Sequence, residues 1–418
     1  MSAEVIAAEP ETQANEGWNR IFFHGFPAGV VDRFRQRFSH LGVRSVPLAA
    51  PIIPDGLVCN VRWGETDEAT RHVGVYDANN REVEESIRLR DVPSSQSVAF
   101  APPAEAQVVR DDRPAYYLGA EARPYGHVLL EAVCRAWAWD AYGEDRLAVL
   151  QCSPVPDYAQ ALFALIPGMA EHVHAVQSPT RFRDIIVPAP AFVIRDHAHV
   201  QMRLLAERMA VRALPKMPPK TEQPLYLTRS RLGSKARRIF VGEEEFESFL
   251  ESQGFLVVAP ETLPISEQIA LFNRHKWIVA SQGSACHSRL FALEPVNLVV
   301  LTNQLNPNFI LCDMLARGSA HYGNVFEMRD FLGEAGFRFR RPVATEPVML
   351  RRGACLDILR KLGLAGAKAH LPRSAELEDR YKQIWLENAY RHAQRKRDDE
   401  MHRALAQIAF QPERRSRA

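Results

Sequence analysis

The chain of 418 residues has little cysteine, and what it has is scattered. Its six cysteines, at positions 59, 134, 152, 286, 312 and 355, form no C-x-x-C pair. That argues against a zinc site or a disulfide framework and fits a reducing cytosol. No stretch approaches the roughly 20 consecutive apolar residues that a transmembrane helix needs. Nothing near the N-terminus has the form of a signal peptide. The small, acidic stretch up to Glu16 is expected to be a disordered tail, with order beginning by residue 19. Neither sign of charge dominates: 52 Lys and Arg stand against 50 Asp and Glu, a formal net charge of +2. No bulk attraction to nucleic acid or acidic membranes is expected. G-x-x-x-x-G-K-[ST] and G-x-G-x-x-G are both missing, which disfavours a P-loop enzyme and a dinucleotide oxidoreductase. No repeat of fixed period is present.

What is present is an alternation of strand and helix signals over residues 225–302. Leu225 to Thr228, Phe255 to Val258, Trp277 to Ala280 and Asn297 to Leu301 are apolar, β-prone runs. Between them, Glu243 to Gln253 reads as an amphipathic helix, with acids in its first turn and Gly254 placed to stop it. Ser266 is expected to cap a helix through Phe272, and a further helix is expected from about Cys286 to Leu293. Such alternation predicts a parallel sheet covered on both faces, a Rossmann-like unit over 225–345.

A second, less regular alternation occupies 19–214. Strands are expected at Arg20 to Phe23, Tyr116 to Gly119, Leu147 to Leu150 and Asp184 to Pro188. Helices are expected at Val128 to Asp140, Tyr158 to Leu165 and His197 to Leu214. The Pro- and Lys-rich stretch 215–224 reads as a stiff linker and the domain boundary. Past residue 301, a turn at Asn306-Pro307-Asn308 and a helix from Phe309 to Ala316 are expected, with His321-Tyr322 preceding another strand. Residues 346–418 read as a C-terminal helical extension. One long helix runs from Ser374 to about Phe410, with Leu377, Tyr381, Ile384, Trp385 and Ala389 on its apolar stripe. The fold class is therefore α/β, with two Rossmann-like domains and a long C-terminal helix.

Such sheets bind ligands at the carboxyl ends of their strands. One end carries Arg229-Ser230-Arg231, and another carries Gln282-Gly283-Ser284 at a helix start. Two guanidinium groups and free backbone N–H groups describe an anion site, most simply for a diphosphate. The plain alternatives are a surface loop rich in arginine and an ordinary tight turn. Arg237 reads as a solvated face, and Arg238 is weak as a candidate. Gly126-His127 at a helix start, with Glu131 four residues on, places an imidazole and a carboxylate on one face. That pair suits a general base; a packed helix-start histidine is the alternative. The pairs His172/His174 and His197/His199 lack a third ligand and read as structural.

Five motifs resemble glycosyltransferase family 61 in order and rough spacing. They are Tyr125 to Glu131, Tyr226 to Arg231, Gly254-Phe255 with Pro260-Glu261, Ser266 to Gln268, and Gly283 to Phe291. The resemblance covers about residues 115–325. It implies a GT-B-like fold whose two domains face across a cleft, acceptor side first and donor side second. It also implies inverting, metal-independent transfer from a nucleotide diphosphate sugar, typically uridine-linked. No D-x-D triplet is present to clamp a divalent ion, and no cofactor is implied. Under the resemblance Arg229, Ser230 and Arg231 hold the diphosphate, while Gln282, Gly283, Ser284 and His287 line the donor pocket. Glu267 sits near the nucleotide, and His127 and Glu131 are the catalytic pair. Bacterial members are associated with capsule and exopolysaccharide assembly. The expected acceptor is therefore a glycan or lipid-linked glycan, and the expected location is cytoplasmic or peripheral at the inner membrane. A homodimer is left open. Gln282 and Ser288 stand where relatives usually have His and Asn. That motivates an alternative, a degenerate transferase fold kept as a glycan-binding or scaffolding protein.

Overall fold

The computed structural model describes residues 17–59, 74–87, 107–120, 124–151, 154–235, 239–329, 331–334, 347–371, 375–396 and 398–409. The acidic N-terminal tail, Arg237, Arg238 and the basic C-terminal tail lie outside them.

Eleven strands form the two main sheets. β1 (Ile21–His24) and β2 (Ile52–Pro54) come first, then β3 (Ala115–Ala120), β4 (Leu147–Gln151), β5 (Val173–Ala175) and β6 (Asp184–Ile186). β7 (Leu225–Leu227), β8 (Leu256–Val258), β9 (Trp277–Ser281), β10 (Asn297–Thr302) and β11 (Ala320–Asn324) follow. The N-terminal sheet runs β2-β6-β3-β4-β5, parallel except for β2. The C-terminal sheet runs β1-β11-β10-β9-β7-β8, parallel throughout.

Both sheets are apolar on both faces, which is why their strands read as unbroken hydrophobic runs. Successive side chains of a strand point to opposite sides. Ile278, Ala280, Leu298 and Val300 accordingly enter one core, while Val279, Val299 and Leu301 enter another. The first core also holds Tyr116, Leu118 and Leu150 of the N-terminal sheet and Met202 and Leu205 of the helix Val200–Ala213. One apolar cluster thus joins the two halves.

Several elements depart from the sequence reading. β1, assigned there to the N-terminal domain, pairs with β11 and extends the C-terminal sheet. Its Ile21 and Phe23 pack in the shared core, a long-range burial that local pattern does not record. His321 and Tyr322 lie inside β11 rather than before a strand. His197 to His199 form a short strand, and the helix starts only at Val200, with the His199 ring accepting a capping bond from the Gln201 N–H. Ser266 is not a cap, because the helix already begins at Ile265 after Pro264. The expected long C-terminal helix is two, Ala375–Lys396 and Asp399–Ala409. Asp398 separates them and accepts the Met401 N–H at 2.9 Å. Folding back lets Met401 and Leu405 join Tyr381 and Trp385 in one cluster. Residues 348–361 are not simply an appendage. The strand Val348–Leu350 pairs with Phe240–Val241 and Phe326–Glu327. The helix Arg352–Lys361 covers the second face of the C-terminal sheet, with Ile358 and Leu359 beside Val299 and Leu301 in the core.

Candidate active site

Counted from β7, the C-terminal sheet has the doubly wound order 2-1-3-4-5, with β1 added at the far edge. In such sheets the chain diverges to both sides between the first and third strands, and a crevice opens at their carboxyl ends. Here those strands are β7 and β9. Arg229 follows β7, and Gln282-Gly283-Ser284 follows β9. The Arg229 guanidinium lies across the turn, its Nη1 donating to the Gln282 carbonyl at 3.1 Å. A Cβ on Gly283 would stand 3.3 Å from Arg229 Nε. The glycine therefore answers a close approach and not a special backbone angle, since its φ is −169°.

Behind Arg229 lies a feature that the sequence did not disclose. Glu243, first residue of the helix Glu243–Ser252, is buried and accepts both the Arg229 N–H at 2.9 Å and the Tyr226 hydroxyl at 2.8 Å. Burial raises its pKa. In the sequence it is one of three consecutive acids that all look like helix-dipole partners; only packing singles it out. Ser230 is turned toward Thr228, whose Oγ1 accepts the Ser230 N–H at 3.0 Å. Arg231 is exposed, as is Glu267 in the first turn of the helix Ile265–Arg274. Among the described residues no hydrogen bond ties either to Arg229. The Gln282 Oε1 accepts a bond from Thr302, and Gln282 lines a pocket of about 10 Å³ with Arg229 and Glu243, room for one water.

The N-terminal half meets the turn after Gly283 through the stretch that begins at Tyr125. Residues Tyr125 to Tyr142 are helical throughout, but the pitch changes. A π-helical turn, Val128–Ala132, is followed by a 3-10 stretch, Val133–Ala138. Such bulges are frequent at functional sites. His127 Nδ1 lies 2.9 Å from Glu131 Oε2, with the carboxylate buried and the imidazole one-third exposed. Gly126 makes the junction between halves. A Cβ there would meet the His287 ring at 2.7 Å and the Ser284 hydroxyl at 3.3 Å. One residue before it, the Tyr125 hydroxyl bonds Ser288 Oγ at 2.8 Å.

His287 is buried, stacks on Phe309 at 4.3 Å and has Nδ1 3.2 Å from Cys312 Sγ. Burial, and secondarily the nearby His127, lower its pKa to about 3, so the ring is neutral at ordinary pH. It packs the junction. Next to it, Arg289 is fully buried against Asp313, Nη1 to Oδ1 2.6 Å, and donates to the carbonyls of Val296, Arg317 and Ser319. The structure thus brings Arg229, Gln282 and Gly283 together. It brings Ser284 and His287 against Gly126, beside His127 and Glu131, and leaves Arg231 and Glu267 at the surface.

The motif that begins at Tyr125 packs against the motif from Gly283 to Phe291, so both sides of the junction fall within residues 125–291. Residues 125–299 match the Glycosyltransferase 61 family model. No curated protein matches the chain. The family 61 stretch starts on Tyr125 itself and ends within β10. It holds both the His127–Glu131 pair and the Arg229–Gly283 contact. Among the described residues no three His, Cys, Asp or Glu side chains are grouped as metal ligands, and no helix is long and apolar enough to cross a membrane. The five described cysteines are free and buried.

Proposed function

We propose that the protein is an inverting glycosyltransferase that moves a sugar from a nucleotide diphosphate sugar, with uridine as the base, to a hydroxyl of a glycan or lipid-linked glycan. The observation that carries this reading is Arg229 lying over the Gly283 turn at the switch point, within the family 61 match and opposite the His127–Glu131 pair. A guanidinium and the free N–H groups at a 3-10 start are what a leaving diphosphate needs. Attack opposite the leaving group needs a base on the far wall, and the paired His127 supplies one. The carboxylate of Glu131 fixes the imidazole tautomer. Arg231 would join the phosphates on ligand binding, and a polysaccharide pathway in the cytoplasm is the setting that fits.

Thermal melting of the full chain with uridine, guanosine and cytidine diphosphate sugars tests the reading. A donor at 100 times its Kd stabilises the native state by about 2.7 kcal/mol. One of these sugars should raise the melting temperature, and Arg229→Ala should abolish the rise. No shift with any of them would reject the transferase reading. Glycan binding without nucleotide binding would favour a degenerate, glycan-binding relative.

A further inference from the structure

On the same carboxyl edge, a basin of about 770 Å³ opens between the helix Ala28–Arg37 and the loop after β10. Arg33 and Arg37, one turn apart, line it from the helix, and Arg195 enters from the N-terminal half. Among the described residues none of the three guanidinium groups has a carboxylate partner. Phe34 and Phe38, rings 4.8 Å apart, form part of its wall. Gln36 and Gln304 add amide groups.

Two features tie this basin to the reaction cluster. Gln304 donates its N–H to Thr302 Oγ1 at 3.1 Å, and that hydroxyl bonds the Gln282 side chain. Pro307, at the rim, starts the helix whose Phe309 stacks on His287. Arg195 is also held in a left-handed conformation, φ 65°, which is costly for a residue with a side chain. Its N–H donates to Asn308 Oδ1 at 2.9 Å and its carbonyl faces His40 Nε2 at 3.0 Å, so both backbone groups are pinned. Glycine or asparagine would adopt that backbone at lower cost. The guanidinium is the group that distinguishes the arginine.

We propose that this basin is the acceptor subsite and takes a saccharide bearing an oxyanion, a carboxylate or a phosphate, bound by Arg33, Arg37 and Arg195. Guanidinium forks match either oxyanion, and the phenylalanine faces and amides suit a sugar ring and its hydroxyls. The acceptor role rests on the transferase reading; the ligand chemistry does not.

Calorimetric titration of the full chain with tetragalacturonate, its methyl ester and maltose 1-phosphate tests the proposal. The first and third probes separate a carboxylate from a phosphate. At least one anionic saccharide should bind, more weakly as salt rises. The neutral ester should bind at least about tenfold more weakly. Arg33 and Arg37 are exposed, so the double variant Arg33→Gln/Arg37→Gln should fold and lose on the order of 10- to 100-fold in affinity. Its affinity for uridine diphosphate should not change. The proposal falls if neither anionic saccharide binds or if the ester binds equally well. It also falls if the double variant binds like the wild type or loses uridine diphosphate as well, or if only anionic lipid vesicles bind. Saccharide binding with no binding of uridine, guanosine or cytidine diphosphate would keep the basin and remove the transferase reading.

Discussion

His127 and His287 are close neighbours with opposite environments. His127 is partly exposed and paired to a carboxylate. Its replacement by alanine should lower turnover by roughly 10²–10⁴-fold, the usual worth of a positioned acid–base group. Donor affinity should hold, because the imidazole belongs to the N-terminal half while Arg229 follows β7 of the C-terminal sheet. Steady-state kinetics with a donor titration separates the two effects, and near-normal turnover would return His127 to a packing role. His287 has its pKa pushed from the ordinary 6.5 to about 3. The unfolded chain therefore binds a proton that the folded protein refuses between those limits. Stability from this group is fully present above pH 6.5 and is lost as pH falls toward 3, by about 1.4 kcal/mol per pH unit. His321, lowered to about 4 chiefly by burial, adds to the same slope. Urea melts of His287→Gln across pH 4–7 should show a shallower acid loss than the wild type. An unchanged slope would mean that the ring is protonated where it stands.

At the element scale, the Arg289–Asp313 pair fastens the 3-10 turn Ser284–Phe291 to the helix Pro307–Leu315, and Tyr322 of β11 donates to the same carboxylate. Both charged groups are buried, and burial raises the Asp313 pKa despite the guanidinium. Such a pair is weak evidence of net stability, but removing one partner leaves a charge unpaired in the core. Arg289→Ala should cost about 3–5 kcal/mol by chemical denaturation. A loss below about 1 kcal/mol, the scale of an exposed pair, would show that Asp313 takes up a proton or finds another partner. The C-terminal helices offer a second check at this scale. Trp385 is buried with Val241 and Met349 beside the small sheet, so Trp385→Ala should cost about 3–5 kcal/mol. A helix fraying in solvent would lose far less.

For the whole molecule, the question is how the halves stay in register. Gly126 leaves room for the His287 ring, and an added Cβ would come within 2.7 Å of it. That ring is clamped by Phe309 and has little freedom to retreat. Gly126→Val should therefore push the halves apart. Turnover should fall and limited proteolysis should speed up, while Tyr125→Phe, which deletes only the bond to Ser288, should cost about 1 kcal/mol. Equal proteolysis of Gly126→Val and wild type would show that the junction yields elsewhere.

The order of strands and helices over residues 225–302 is determined by the sequence itself. Strands buried on both faces must be apolar without interruption, and the glycine that ends the helix Glu243–Ser252 sits at φ 88°, where other residues are strained. The proximity of His127 to Glu131 was likewise set by spacing along one helical run. What only the tertiary structure decided is whatever depends on distant partners. β1 joins a sheet whose other strands lie some 200 residues on or more. Glu243 differs from Glu244 and Glu245 only because it alone is buried behind Arg229. The second helix of the C-terminal pair turns back because its apolar residues have a cluster to rejoin. Arg195 shares a basin with Arg33 and Arg37 because a turn of the N-terminal half lies beside the helix Ala28–Arg37. A local pattern records which face of an element avoids water. It does not record which other element will cover that face, and the candidate site is built at such coverings.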